Sequence, residues 1–295
     1  TQSWLDHGPI KRLQIKSFRL NYILSMSSVF VPSSVITPEN LGTVEVYGVM
    51  LSTATQSVCI GLKELNIPFI HMPALPNGPE LANFSPFGTI PVMVHRPNGI
   101  YTTSDRDKVV LFELSAIGSY INELLNERGS NDPDHLSLYP KLDGEYSGKY
   151  AESVHARAAT NQLCSVISHY IQIMVQDRYV KPFFALRNNG ASTQDISIAL
   201  ADSLENAIAA LMYTERIVKN TREVLKSPPG EYLLGDKPSW ADVLLFPILR
   251  DFRATKPGVL TGNNERLPLL TSFLQKFEHR PSALSTFQGS FSASA

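Results

Sequence analysis

The stretch Ser85-Pro86-Phe87-Gly88-Thr89-Ile90-Pro91-Val92-Met93, read with Glu113 further along, decides how this chain folds. Pro91 has no N–H to give to a sheet ladder, so it belongs at the first residue or the edge of a strand. Only X-Pro bonds take the cis form at modest cost, and a cis proline is usually a placed feature. A cis bond at Ile90-Pro91 turns the backbone of Ile90 outward, where it can pair with an extended peptide. The expectation is a protein that holds a small peptide by main-chain hydrogen bonds.

Working upstream, Thr43 to Met50 predicts a strand, with Val44, Val46 and Tyr47 as strand formers and Gly48 weakening its end. Thr55 to Asn66 predicts a helix, because Val58, Leu62 and Leu65 recur at i, i+4, i+7. Pro68 to Met72 predicts a second strand. Ile90 to His95 and Lys108 to Phe112 predict two strands joined by a turn at Pro97-Asn98-Gly99. Ser115 to Arg128 follows as a helix with Ile117, Tyr120, Ile121, Leu124 and Leu125 on one face. A β-α-β unit followed by a hairpin and a helix implies a mixed sheet of four strands. Residues 129–149 read as a linker. Beyond it the pattern is helical: Glu152 to Phe184 as one long helix or a broken pair, Asp195 to Leu225, Trp240 to Arg253, and Leu267 to Phe277. The third of these is apolar nearly all round and should lie centrally buried. The boundaries expected are an extension at 1–42, an α/β domain at 43–128, the linker at 129–149, an all-helical domain at 150–285 and a Ser/Ala-rich tail at 286–295. The extension and the tail both read as disordered.

Composition narrows the class. The 295 residues are 43% hydrophobic and 18% charged with a net charge of −1, which leaves no basic footprint for nucleic acid. Cys59 and Cys164 have neither disulfide-framework nor metal-ligand spacing, so a reducing, cytoplasmic setting without a bound metal is expected. No apolar run approaches the roughly 18 residues of a membrane span. Lys11, Arg12, Lys16 and Arg19 before the apolar stretch Tyr22 to Val31 faintly resemble a targeting segment. Met26 is an alternative translation start.

Four segments carry a resemblance. Val46 to Val58, with Ser52-Thr53-Ala54-Thr55 at its centre, is similar to the first strand and active-site turn of the serine-type, phi-like glutathione transferases. Ser85-Pro86-Phe87-Gly88-Thr89-Ile90-Pro91 resembles their N-P-F-G-x-V-P element, and Leu111-Phe112-Glu113-Leu114-Ser115-Ala116-Ile117 their L-F-E-S-x-A-I element. Tyr232-Leu233-Leu234-Gly235-Asp236-Lys237-Pro238-Ser239-Trp240-Ala241-Asp242 resembles their Y-L-x-G-D-x-P-[ST]-x-A-D element. The resemblance spans residue 43 to about residue 280. It implies a thioredoxin-like α/β domain plus an all-α helical-bundle domain, and a homodimer with glutathione as cosubstrate or cofactor. The implied second substrate is a hydrophobic small-molecule electrophile.

The resemblance places Ser52 at the glutathione sulfur, with Thr53 as the neighbouring candidate. A free thiol ionises near roughly pH 8.5, and bringing it about two pH units lower takes about 2.7 kcal/mol. One hydroxyl donating to the sulfur plus a helix N-terminus can supply that. The competing reading is a helix cap at Ser52 or Thr53. Ile90 carries over as the main-chain partner of the cysteinyl part, Pro91 as the cis proline, and Glu113 as the acid that meets the γ-glutamyl ammonium. Where the family has Ser after that Glu, this chain has Leu114, with Ser115 next. Thr89 stands where Gln is common. No basic residue is evident between Met72 and Ala82 for the glycyl carboxylate, and Asn77 is the candidate donor. Weaker or altered glutathione binding follows. Ser239 and Asp242 read as a helix cap rather than as catalytic groups, and Cys59 and Cys164 as packing residues. His169, Tyr170, Tyr179, Phe183 and Phe184 either line an apolar pocket or pack the helical core. Two rival readings stay open. One is a glutathione-dependent cis–trans isomerase, as in a tailoring step of small-molecule biosynthesis. The Ser52-Thr53 pair resembles the paired hydroxyls of zeta-like isomerases, with Ala54 where those carry Cys. The other rival is a binding or regulatory protein that kept the fold.

Overall fold

The computed structural model describes residues 28–30, 41–97, 108–126, 137–140, 149–227, 230–261 and 265–294. Of the expected targeting segment only Ser28–Phe30 lies among them; the turn residues Asn98 and Gly99 and most of the linker lie outside. The first domain is a sheet of five strands in the order β1-β3-β2-β4-β5, formed by β1 (Ser28–Phe30), β2 (Thr43–Tyr47), β3 (Phe69–Met72), β4 (Val92–Arg96) and β5 (Val109–Leu111). Alternation explains β2: Val44 and Val46 are buried while Thr43 and Glu45 are part-exposed. Helix α1 (Thr53–Glu64) crosses from β2 to β3, which pair in parallel; β4 pairs antiparallel with β2, and β5 with β4.

Four strands were expected, and the fifth is supplied by the segment assigned to the extension. β1 lies antiparallel to β3, with Val29 opposite Ile70, and so covers an edge that would otherwise present unpaired backbone groups. Leu41 belongs to the domain as well. It is buried, and its carbonyl accepts a 2.6 Å hydrogen bond from His95 Nε2, which leaves His95 Nδ1 to accept from the Tyr120 hydroxyl at 2.7 Å.

After α2 (Leu114–Asn126) the chain is helical. α3 (Lys149–Val166), a π-helical segment (Ile167–Val180) and α4 (Lys181–Asn188) follow one another without a break, so the long helix is realised with a wider middle. There the Lys181 amide donates to the Gln176 carbonyl, five residues back. α5 (Thr193–Ala199) and α6 (Ala201–Leu225) divide what reads in sequence as one helix. α7 (Trp240–Thr255) is buried along its length except at Arg253 and Ala254, as its all-round apolar pattern requires. α8 (Pro268–Phe277) and α9 (Pro281–Leu284) close the bundle. No single helix among the described residues is long and apolar enough to cross a membrane.

The two domains meet through Trp240, which is 1% exposed. A Cβ at Gly61 of α1 would lie 1.9 Å from the indole, and one at Gly118 of α2 only 1.4 Å from it, so both helices need glycine where they touch this ring. The tail departs from the disordered state its composition suggested. Phe291 stacks on Phe184 at 4.8 Å between ring centres, and Ser292 donates its amide and hydroxyl to Asp251 at 3.1 and 2.8 Å. Thr286 and Ser290 are buried. Phe291 and the bonds of Ser292 to Asp251 anchor the segment, and a count of serines does not register that.

Candidate active site

Sheet register gathers the candidate residues. Tyr47 at the end of β2 lies opposite Val92 at the start of β4, and Met93 lies opposite Leu111 at the end of β5. The turn after β2, the loop before β4 and the segment after β5 therefore lie at one end of the sheet. They carry Ser52, Ile90 and Glu113.

Ser52 is the N-cap of α1, in extended backbone (φ −83, ψ 116). Its Oγ accepts from the Thr55 amide at 3.3 Å, so the capping role is real. A hydroxyl that accepts still has its proton, and among the described residues none accepts it. Ser52 is half-buried and sits at the positive end of the helix. Thr53 is placed differently. It is buried, and its hydroxyl donates at 3.0 Å to Gln172 Oε1 on the π-helical segment, so it ties the domains together and its proton is committed. The turn is tightened by the Ser52 amide donating to Val49 and the Gln56 amide to Ser52, at 2.9 and 3.0 Å.

The Ile90-Pro91 peptide is cis, and Pro91 is buried at the entry to β4. Ser85 shapes the loop in front of it, its Oγ accepting the Thr89 amide at 3.1 Å. Gly88 has φ +62, and its carbonyl accepts from the Asn77 amide at 2.8 Å. Asn77 is itself left-handed (φ 60) and sits close enough that a Cβ at Gly88 would lie 2.2 Å from its Oδ1. Asn77 is thus beside the Ile90 loop and braces it. Glu113 is exposed and immediately precedes α2. Its carbonyl accepts from Ile117 at 2.8 Å, while no described residue bonds its carboxylate. The Leu114 side chain packs on the core, which removes it as a side-chain contact and leaves only its amide; Ser115 is exposed.

The other candidates are structural. Burial pushes the Cys59 and Cys164 thiols up to about 12, so neither is a nucleophile near neutrality. Asp242 is buried, and burial lifts its carboxyl to about 6. It accepts from the Leu233 amide at 2.7 Å, the Ser239 amide at 2.8 Å and Ser239 Oγ at 2.5 Å, completing the expected cap. Of the aromatic group, Tyr179 packs on Phe252 and Phe183, and Phe184 on Phe291, Tyr170 is 62% exposed, and His169 bonds the Ser165 carbonyl. His71, missed in the sequence, is buried and donates Nε2 to the Gly48 carbonyl at 2.8 Å; burial lowers its pKa and keeps it neutral, so it braces the end of β2. Gln56 and Arg250 were missed too. Gln56 Nε2 donates to the Met50 carbonyl at 2.7 Å, and Arg250 Nη2 donates to Gln56 Oε1 at 2.6 Å.

Two family models match the chain. One, "Glutathione S-transferase, N-terminal domain", covers residues 51–124, and the other, "Glutathione S-transferase, C-terminal domain", covers residues 205–281. No curated protein matches it. Among solved structures, glutathione transferase F7 from Populus trichocarpa aligns with a TM-score of 0.59 at 21% identity, covering 84% of this chain and 99% of that one. A glutathione transferase family member from Pseudomonas fluorescens pf-5, solved with two glutathione bound, gives 0.56 at 20% identity over 85% and 94%. FzlA from C. crescentus gives 0.57 at 19% over 83% and 92%. The fold is that of these proteins. With its sheet end, its cis proline and both family models in chain order over just over half its length, the chain belongs to the glutathione S-transferase superfamily.

Proposed function

We propose that the chain binds glutathione across this end of the sheet and activates its thiol for attack on a hydrophobic electrophile. The observation that carries this reading is the common placement of three unlike groups. These are a hydroxyl with a free proton at a helix N-terminus, the main chain of Ile90 ahead of a cis proline, and a carboxylate with no described partner. The Pseudomonas structure, which shares the fold and holds glutathione, supports it. The Ser52 hydroxyl donates to the sulfur while its lone pair stays on Thr55, so one side chain caps the helix and holds the thiolate. The α1 N-terminus adds its dipole. Ile90 pairs with the cysteinyl main chain, and Glu113 receives the γ-glutamyl ammonium. With Leu114 turned into the core, the glutamyl carboxylate rests on the α2 N-terminal amides and Ser115.

Ser52→Ala is expected to keep glutathione binding, lose the short-wavelength ultraviolet absorbance of the bound thiolate and lower turnover about a hundredfold. Unchanged thiolate absorbance in the variant rules out the role given to Ser52. Product mass separates the chemistries: a gain of one tripeptide means conjugation, and no gain with a conjugated alkene means isomerisation. Two copies of the chain are proposed to associate, a point that light scattering checks.

A further inference from the structure

We propose that Arg250 of the helical domain is the positioning residue for the turn that carries Ser52, acting through Gln56. This rests on the role given above to Ser52.

The geometry is a relay of fixed direction. A guanidinium only donates and a peptide carbonyl only accepts, so a group between them must do both. The Gln56 amide does, taking Arg250 Nη2 on its oxygen at 2.6 Å and giving its nitrogen to the Met50 carbonyl at 2.7 Å. Neither neighbour can be satisfied with the amide reversed, so its orientation is settled by chemistry. Gln56 is fully buried and holds the turn from both sides, because its own main-chain amide bonds the Ser52 carbonyl at 3.0 Å. Met50 and Ser52, the residues either side of Leu51, are thus held by one side chain and one amide of the same residue.

Arg250 is set in turn by the far end of the chain. Its Nη1 donates to the Ala283 carbonyl and its Nη2 to the Thr286 carbonyl, both at 3.0 Å, and its guanidinium lies over Phe246 and Phe287 at 5.1 and 5.7 Å from their ring centres. Gly289 approaches the turn directly, its Cβ position 3.2 Å from the Met50 side chain. The position of the Ser52 hydroxyl is therefore set by α7 and by residues 283–289 as well as by its own helix. A hydroxyl that must meet a sulfur within hydrogen-bond reach is sensitive to such placement.

Gln56→Glu separates the two bonds. The carboxylate still accepts from Arg250 and no longer donates to Met50. In the unliganded protein the amides of residues 49–53 are expected to exchange about tenfold faster with solvent, while those of α7 keep wild-type protection. Turnover of glutathione with a chlorodinitrobenzene is expected to fall about ten- to a hundredfold in kcat, with KM for the electrophile changed less than about twofold. Arg250→Lys, which keeps the charge and one donor, should recover part of that loss relative to Arg250→Met. If Gln56→Glu does not fold, Gln56→Met removes both bonds without burying a charge and gives the same readouts. Wild-type exchange at 49–53 in a folded variant overturns the relay. Absence of turnover in the wild-type protein overturns the functional reading instead, and exchange alone then decides the relay.

Discussion

A methyl group added at Gly118 would meet the Trp240 indole at 1.4 Å, and one at Gly61 would meet it at 1.9 Å. Neither helix can keep its position with such a group in place. Gly118→Ala and Gly61→Ala are each expected to destabilise the protein by about 1–3 kcal/mol through overpacking, read as a lower urea midpoint at unchanged slope. The cysteines make a second case at this scale. Both thiols are buried and raised to about 12, so they should stay unmodified by a thiol reagent in the native protein at pH 8 and react once urea unfolds it. Native-state labelling on the timescale of a free thiol contradicts the burial described. Single residues were unevenly legible. Pro91 declared itself because its missing N–H restricts where it can sit. Leu114 showed a missing hydroxyl, but a position relative to Glu113 does not reveal which way a half-buried side chain turns.

α7 makes the same point for elements. Its boxed start at Ser239 and Asp242 was readable from four consecutive residues, and so was its burial, because both depend on neighbours in sequence. Its charges were not readable. Burial lifts Asp242 and Asp251 to about 6, above their unfolded value near 4, so the folded state binds protons that the unfolded state releases. The folded protein therefore gains stability as pH falls from about 6 toward about 4, and loses it as pH rises through that window. A contribution of about 3 kcal/mol per carboxyl is the order expected. Asp251→Asn should flatten the difference in urea midpoint between pH 4.5 and pH 6.5 relative to wild type. An identical pH dependence in the two proteins excludes this assignment. The π-helical segment buries Ile167, Ile171, Val175, Gln176, Tyr179 and Val180, a spacing wider than the α-helical period, so a reading that looks for the α-helical repeat does not separate it from its neighbours.

Across the described residues, polar side-chain ties join the domains: Thr53 to Gln172, Gln56 to Arg250, Glu64 to Arg280 and Ser282, and Glu123 to Arg157. Arg280 Nε meets Glu64 Oε1 at 2.8 Å, and a second nitrogen meets Oε2, so this pair is two-pronged. Glu64→Ala is expected to cost about 1–3 kcal/mol, the arginine being part-exposed once freed. Unfolding should remain one transition, coincident by circular dichroism and by tryptophan emission; separated transitions mean that the domains are not coupled. These ties link residues far apart in the chain, 194 positions in the case of Gln56 and Arg250, and no local period encodes such a pair. The layout of two domains was legible because it is built from local patterns, and the bracing of the site was not. The tail gives the same contrast, and its packing orders events during synthesis. Ser52 is made well before the residues that fix Arg250. At about 5–20 residues per second, roughly ten to fifty seconds separate them. Through that interval the sheet end exists without its brace, so a nascent chain halted before residue 281 should turn over glutathione about ten- to a hundredfold more slowly than one continued past residue 289.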